Sequence, residues 1–389
     1  MRHVAILVET ARAYGRGVIR GIASYTRQRG NWSTYFRPQG LGDKPPPWLK
    51  RWKGDGIIAR IENMQTASVV SGVGVPVVNL RSTLPHLPFP FIGTDNEVVA
   101  RLATRHLLER GFKHFGLCSY RRGYHRGFDV RVEFYRKCLE ESANSCYRFI
   151  LPRGNSRSYS WEKEQGRIVK WLLSLPKPVG ILAVNDDCGL QVLDGCQRAG
   201  FSVPDQVAVI GCDNDEYACG LSIPPLTSIQ LNSVRVGYEA AALLDRLMAG
   251  KSPPKRLPKI EPLGIVARRS TDVLATDDME VVRAIRFIRS NACRTISVMD
   301  VVDHVKIPRT TLQLRVKKVT GSTIHEEIKC VQIDRAKELL SSTNMPIKSV
   351  ARESGYANVQ YFTRVFHQST GQTPAKFKRS RLSDSVTMP

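Results

Sequence analysis

With 389 residues, 42% of them hydrophobic, the chain is long enough for two or three globular domains and too apolar to be disordered. It carries 58 Lys and Arg against 35 Asp and Glu, yet only 24% of its residues are charged, so the net +23 is an imbalance of sign that points to an anionic partner. Apolar runs such as 75–80 and 179–184 fall far short of the roughly 20 residues that span a bilayer, so no membrane partner is expected. The short apolar run at 4–8 is no secretory signal, which predicts a cytoplasmic protein.

Taken in order, residues 4–8, 56–61, 75–80, 114–119, 148–151, 180–184 and 207–211 read as strands, and 98–110, 130–141, 161–175, 188–199 and 234–248 as helices. Buried apolar strands alternating with helices imply the doubly wound α/β arrangement, and more than 250 residues of it fits two lobes with a cleft between them. After Gly250 come a Pro-containing polar stretch, a possible edge strand and the polar connector 268–272. From Asp277 onward strand signals stop, so a domain of residues 1–274 is expected, followed by an all-α domain of residues 275–389. Residues 275–389 hold 19 basic against 11 acidic residues (+8), which leaves 39 against 24 (+15) on residues 1–274.

Nine cysteines without a CxxC pair, and eight histidines without paired spacing, argue against a metal site or a disulfide framework, and no cofactor is expected. GxSxG, a P-loop, HExxH and a Rossmann GxGxxG are all missing from the sequence, so catalysis is not expected.

The tail repeats itself. Leu312, Val316, Thr320-Gly321 and Thr323 recur 50 residues later as Phe362, Phe366, Thr370-Gly371 and Thr373. Upstream the offset is 49: Val298, Val301, Val302 and Ile307 match Ile347, Val350, Ala351 and Tyr356. Each copy reads as a short helix, a turn and a second helix closed by Gly, a helix-turn-helix, near 296–321 and 346–371. Leu312, Val316 and Val319 face inward in the first copy and Phe362, Phe366 and Ser369 in the second, where Asn358 is the expected N-cap. The outward faces offer Arg309, Thr310, Gln313 and Lys317, then Gln360, Tyr361, Thr363 and Arg364. Arg and Gln suit base edges and Lys suits phosphate, so these residues with Asn358 are the candidate contacts to double-stranded DNA. Two such units would enter successive major grooves about 34 Å apart, held by a helical stripe through Ile324, Ile328, Val331, Ala336, Leu339 and Leu340.

Residues 279–378 resemble the AraC/XylS-type DNA-binding domain at Arg335-Ala336, Leu339-Leu340, Ile347, Val350-Ala351, Gly355-Tyr356, Tyr361-Phe362, Arg364-Val365-Phe366 and Gly371-x-Thr373-Pro374. The first copy departs from that pattern at Lys306, Leu314 and Val316. Residues 1–274 resemble the periplasmic-binding-protein-like effector domains of LacI/GalR-type regulators, through Thr94-Asp95-Asn96, Arg131 at the opening of a helix, Asn185-Asp186, Asp213-Asn214 and 225–229. That resemblance implies a sugar sensor whose ligand sits at the carboxyl ends of strands. Asp95, Arg131, Asp186, Asp213 and Asn214 are its candidate polar contacts, with Tyr14, in the loop after the first strand, or Tyr124 stacking on the sugar ring. The fused order of the two resembling regions implies a sugar-controlled transcription regulator, and the family resemblance, not the residues, implies an activator acting as a homodimer whose effector is D-xylose or a related pentose. The alternative is a cytoplasmic repressor responding to another carbohydrate.

Overall fold

The computed structural model describes residues 1–29, 32–40, 43–81, 84, 87–152, 160–273, 278–343 and 345–379. Its contacts separate Met1–Val273 from Leu274–Pro389.

The first unit has two lobes. In the first lobe β1 (Arg2–Leu7), β2 (Trp32–Phe36), β3 (Gly56–Ala59) and β4 (Val77–Asn79) form a parallel sheet in the order β2-β1-β3-β4. A two-stranded ladder, β5 (Gly93–Thr94) with β11 (Lys259–Ile260), lies beyond it. In the second lobe β6 (His114–Tyr120), β7 (Cys146–Leu151), β8 (Val179–Ala183), β9 (Val207–Cys212), β10 (Thr227–Gln230) and β12 (Gly264–Val266) are ordered β12-β10-β9-β8-β6-β7. Only the edge strand β12 runs antiparallel among these pairs. All seven strands read from the sequence are present, and β11 and β12 fall where one possible edge strand was read; β2, β5 and β10 were not foreseen. The fully buried pattern of β3, β8 and β9 is what a parallel sheet covered on both faces requires.

Helices α1 (Ala13–Arg29), α2 (Met64–Ser71) and α8 (Ser233–Met248) cover the first sheet; α3 (Asn96–Leu108), α4 (Arg126–Glu141), α5 (Trp161–Ser174), α6 (Asp186–Arg198) and α7 (Glu216–Leu221) belong to the second lobe. The sequence pattern missed α1, because Gly15, Gly17 and Gly21 each cost helix stability relative to Ala. Packing explains them: a Cβ on Gly17 would lie 2.0 Å from Ser233 Oγ, and one on Gly21 1.9 Å from the Val234 carbonyl. These glycines let α1 and α8 cross in direct backbone contact.

The second unit is helical: α9 (Met279–Asn291), α10 (Val298–Val305), α11 (Arg309–Thr320), α12 (Ile324–Ser342), α13 (Ile347–Glu353) and α14 (Val359–Thr370). Two small cores share α12. Ile324 and Ile328 complete the core of α9–α11, whereas Ile333, Ala336, Leu339 and Leu340 complete that of α13 and α14. The stripe expected along 324–340 is therefore split between two neighbours. One inward assignment is corrected: Ser369 is exposed, and Val365 points into the core with Phe362 and Phe366. With Phe362 and Phe366 one turn apart, Val365 falls between them on the inner side, while Ser369 has passed onto the solvent side.

Candidate functional site

The cleft of the first unit, about 980 Å³, opens where the strands of both lobes end. Arg60 follows β3, Arg81 comes just after β4, Tyr120 ends β6 and Asp213 follows β9, and all four line it. Side chains at carboxyl ends of strands are the ones a parallel sheet can aim into such a crevice.

Arg131 is 2% exposed and belongs to the cleft wall. Its guanidinium donates to the Val184 carbonyl and, at 2.8 Å, to the Asn96 side-chain oxygen, which ties α4 to the end of β8 and the start of α3. Its Nε is buried and has no partner among the described residues, leaving one donor unmet at the cleft. Arg131 does not open its helix, as the sequence suggested; His125 caps α4, its Nδ1 accepting from the Gly127 N–H at 3.0 Å, so Arg131 falls in the second turn. Burial, then the nearby guanidiniums of Arg81, Arg60, Arg131 and Arg12, holds His125 well below its usual pKa, in agreement with a neutral ring whose Nδ1 accepts.

Asp213 sits on a strained turn, with φ of 115° there and 51° at Asn214. Asp186 holds that turn from behind. Its carboxylate accepts from Ser228 Oγ at 2.5 Å and from the Asp215 N–H at 2.8 Å, and Ser228 Oγ in turn accepts from the Asn214 N–H at 3.0 Å. Burial and the neighbouring Asp186 push the Asp213 carboxyl up to about 7, against the opposing pull of Arg131 and Arg12.

The structure therefore brings Tyr14, Asp95, Arg131 and Asp213 to the cleft and leaves Asp186 and Asn214 out of its lining. Asp186 and Asp187 open α6 rather than ending a strand, Asn185 being its N-cap. The Asn214 side-chain oxygen accepts from Arg268 at 2.7 Å. Asp95 caps α3, accepting from the N–H groups of Glu97 and Val98 at 3.1 and 3.3 Å. Tyr14 belongs to the first turn of α1, not to a loop, and its ring lies 5.3 Å from the Arg60 guanidinium.

Sequence reasoning missed Arg12, Arg60, Arg81 and Asp187. Arg60 and Arg81 carried a usable signal, a charged residue one or two positions past a buried strand. Each guanidinium has its own carboxylate: Arg12 pairs with Asp187, Arg60 with Glu9 and Arg81 with Glu62. Tyr120, Tyr124 and Phe128 add a stack of aromatic rings, with centroids 4.4 and 6.0 Å from Tyr120. The cleft is thus close to charge-neutral, rich in fixed donors and acceptors, and aromatic on one wall.

In the second unit the two copies of the motif are α10–α11 and α13–α14. Arg309, Thr310 and Lys317 are exposed on α11 and Gln313 is half-buried; Leu314, on the same side, is 71% exposed. Gln360, Tyr361 and Arg364 are exposed on α14, with the Arg364 guanidinium 5.3 Å from the Tyr361 ring. The Asn358 side chain caps α14, accepting from the Tyr361 N–H at 2.8 Å, so its oxygen is engaged in the fold. Arg315 is turned away to a two-armed pair with Asp278 at 2.5 and 2.6 Å.

Comparison with known proteins gives matches along most of the chain. Residues 3–97 match a XylR N-terminal domain, 104–271 a periplasmic binding protein-like domain and 301–380 a helix-turn-helix domain. The chain is 31% identical to the xylose operon regulatory protein of Escherichia coli over 97% of both chains, and 30% identical to that of Haemophilus influenzae over 96% of this chain and 97% of that one. A solved structure of the xylose-binding transcription activator XylR superimposes with a TM-score of 0.78 at 29% identity, covering 97% of this chain and 98% of the other.

Proposed function

The chain belongs to the family of the xylose operon regulatory proteins, and from that premise we propose that a xylose-type pentose bound in the cleft controls how the helical unit engages promoter DNA. It is a sugar-binding transcription regulator with a helix-turn-helix DNA-binding region, and its family is one of regulators, not enzymes. The observation that carries the sugar reading is the charge balance of the cleft. Three guanidiniums are each met by a carboxylate, while Arg131 Nε and the Gln191 side-chain oxygen have no partner among the described residues. A neutral polyol supplies hydroxyls to such groups without bringing a charge that must itself be compensated. The aromatic stack of Tyr120 and Tyr124 offers the apolar face of a sugar ring a surface.

In this reading Tyr14, Arg131 and Asp213 contact the sugar, Asp186 holds the turn that presents Asp213, and Asp95 shapes the wall. Sugar closes the two lobes, and the closed form of a homodimer presents its helix-turn-helix units to cytoplasmic DNA as an activator. The DNA contacts are Arg309, Thr310, Gln313 and Lys317 in the first copy and Gln360, Tyr361 and Arg364 in the second, the domain boundary falling near residue 275.

The test is a thermal-shift screen of the full chain against pentoses and hexoses. A ligand at a hundredfold its Kd stabilises the native state by about 2.7 kcal/mol, so D-xylose or a close relative raises the midpoint by several degrees. A chain whose midpoint no pentose moves, and whose promoter footprint no sugar alters, contradicts the proposal.

A further inference from the structure

The charge of the first unit is unevenly distributed. Residues 1–53 hold 11 Lys and Arg against two acidic residues, Glu9 and Asp43, so +9 of the +15 is concentrated in that short stretch. Arg2, Arg12 and Arg16 are engaged in the fold, with Asp245, Asp187 and Asp215. In contrast Arg27, Arg29, Lys50, Arg51 and Lys53 are exposed and form no ion pair among the described residues.

The fold gathers these five. Strand β2 lies at the edge of its sheet and pairs with β1 from Trp32 opposite Arg2, so Arg27 and Arg29, in the last turn of α1, end close to the start of β1. Lys53 precedes Asp55 by two residues, and Asp55 is fixed to the same place: its N–H donates to the His3 carbonyl at 2.8 Å and its carboxylate accepts from the His3 N–H at 2.5 Å. Lys50 and Arg51 lie in a 3-10 turn, Pro47–Arg51, anchored by the fully buried Leu49. The rings of Trp48 and Trp52 sit 6.1 and 5.7 Å from that of Tyr35 on β2, which holds the turn against the sheet edge. The cations are displayed from an ordered scaffold at the amino-terminal end of the sheet and its outer edge, whereas the sugar cleft lies at the carboxyl ends.

A surface that only keeps a protein in solution mixes both signs. Between residues 27 and 53 the one acid is Asp43, and of the two carboxylates that folding brings to the start of β1 Asp245 is paired with Arg2 while Asp55 accepts from the His3 N–H. We propose that this edge is a second nucleic-acid contact, which binds the phosphate backbone of duplex DNA without reading its sequence. Duplex DNA presents one negative charge per about 1.7 Å of axis, the complement of an array of unpaired cations. A chain that also carries helix-turn-helix units brings such DNA to itself at high local concentration, which is why duplex DNA is favoured over other polyanions.

The experiment measures binding of the full chain to a long non-operator duplex as a function of salt. A Lys50→Gln, Arg51→Gln, Lys53→Gln variant lowers the slope of log affinity against log salt by about 3, and Arg27→Gln with Arg29→Gln lowers it by about 2, since each phosphate contact contributes roughly 0.9. An unchanged thermal midpoint shows that the variants are folded; the helix-end pair carries the test alone if the triple variant is not. Slopes equal to the wild type overturn the proposal. So does loss of binding to phosphatidylglycerol vesicles in the variants while the DNA slope stays constant, because the partner is then a membrane surface.

Discussion

Gln332 occupies the space that a side chain on Gly355 would need: a Cβ built on Gly355 lies 2.8 Å from Gln332 Nε2 and 2.7 Å from the Ala292 carbonyl oxygen. Gln332 itself donates to that carbonyl at 2.9 Å, so α12 and the second turn are pinned together through a glycine with φ of 86°. The equivalent turn of the first copy holds Lys306 at φ of 63°, exposed to solvent.

The two turns therefore respond oppositely to substitution. Gly355→Ala destabilises the helical unit by more than the roughly 1 kcal/mol of left-handed backbone alone, because the Cβ also collides with Ala292 and Gln332. Lys306→Gly stabilises it by about 1 kcal/mol. Thermal unfolding monitored by circular dichroism reads both; a Gly355→Ala chain as stable as the wild type contradicts this account of the turn.

Arg131→Met removes the donors that Val184 and Asn96 accept from while keeping most of the volume. Leaving those buried acceptors unmet costs about 1–3 kcal/mol, and the sugar-induced thermal shift disappears. Calorimetric titration with the active sugar separates the two effects. Retained affinity in a folded variant would remove Arg131 from the contact set.

If Asp213 contacts the sugar as proposed, its titration makes binding pH-dependent. Its carboxyl titrates near 7 when folded and near 4 in an unfolded chain, so the folded state holds the extra proton between those values. The stabilising contribution is present in full below about pH 4 and is lost as pH rises through about 7. A sugar hydroxyl donating to the carboxylate favours the ionised form, so affinity strengthens over the same rise, by less than tenfold per unit of pH. Asp213→Asn flattens both profiles; titrations at about pH 6 and 8 that agree for the wild type count against the contact.

As the proposed DNA contacts, Arg364 and Lys317 should separate by kind, one reading bases and the other neutralising phosphate. Arg364→Ala relaxes preference at particular bases at a cost of about 1–3 kcal/mol, whereas Lys317→Ala weakens all sequences alike and lowers the salt slope by about one. Binding selection on randomised operators reads the first and salt titration the second. An Arg364→Ala chain with unaltered base preference leaves that residue a phosphate contact only.

Much of the fold was legible because buried parallel strands read as short apolar runs and because the helix-turn-helix repeats its own pattern at 49 and 50 residues. Helix α1 was not legible: Gly17 and Gly21 look like helix breakers until Ser233 and Val234 are placed against them. The site was legible in part. Asp213 stands just past a strand end, where a polar residue was expected, and Arg131 reaches the cleft from the second turn of its helix rather than from its start, but Asp186 and Asn214, equally polar and equally close to strands, turn inward to Ser228 and Arg268.

By itself the sequence determined that this is an α/β sensor joined to a duplicated helix-turn-helix, because local periodicity and internal repetition are properties of neighbouring residues. Only the tertiary structure decided which charges are matched. Arg12 meets Asp187, 175 residues away, and Arg60 meets Glu9, while Lys50 and Arg51 meet no carboxylate among the described residues. The physical reason is that a charge is compensated through space, so the +23 of the chain acquires meaning only once folding has set each cation beside a carboxylate or left it facing the solvent.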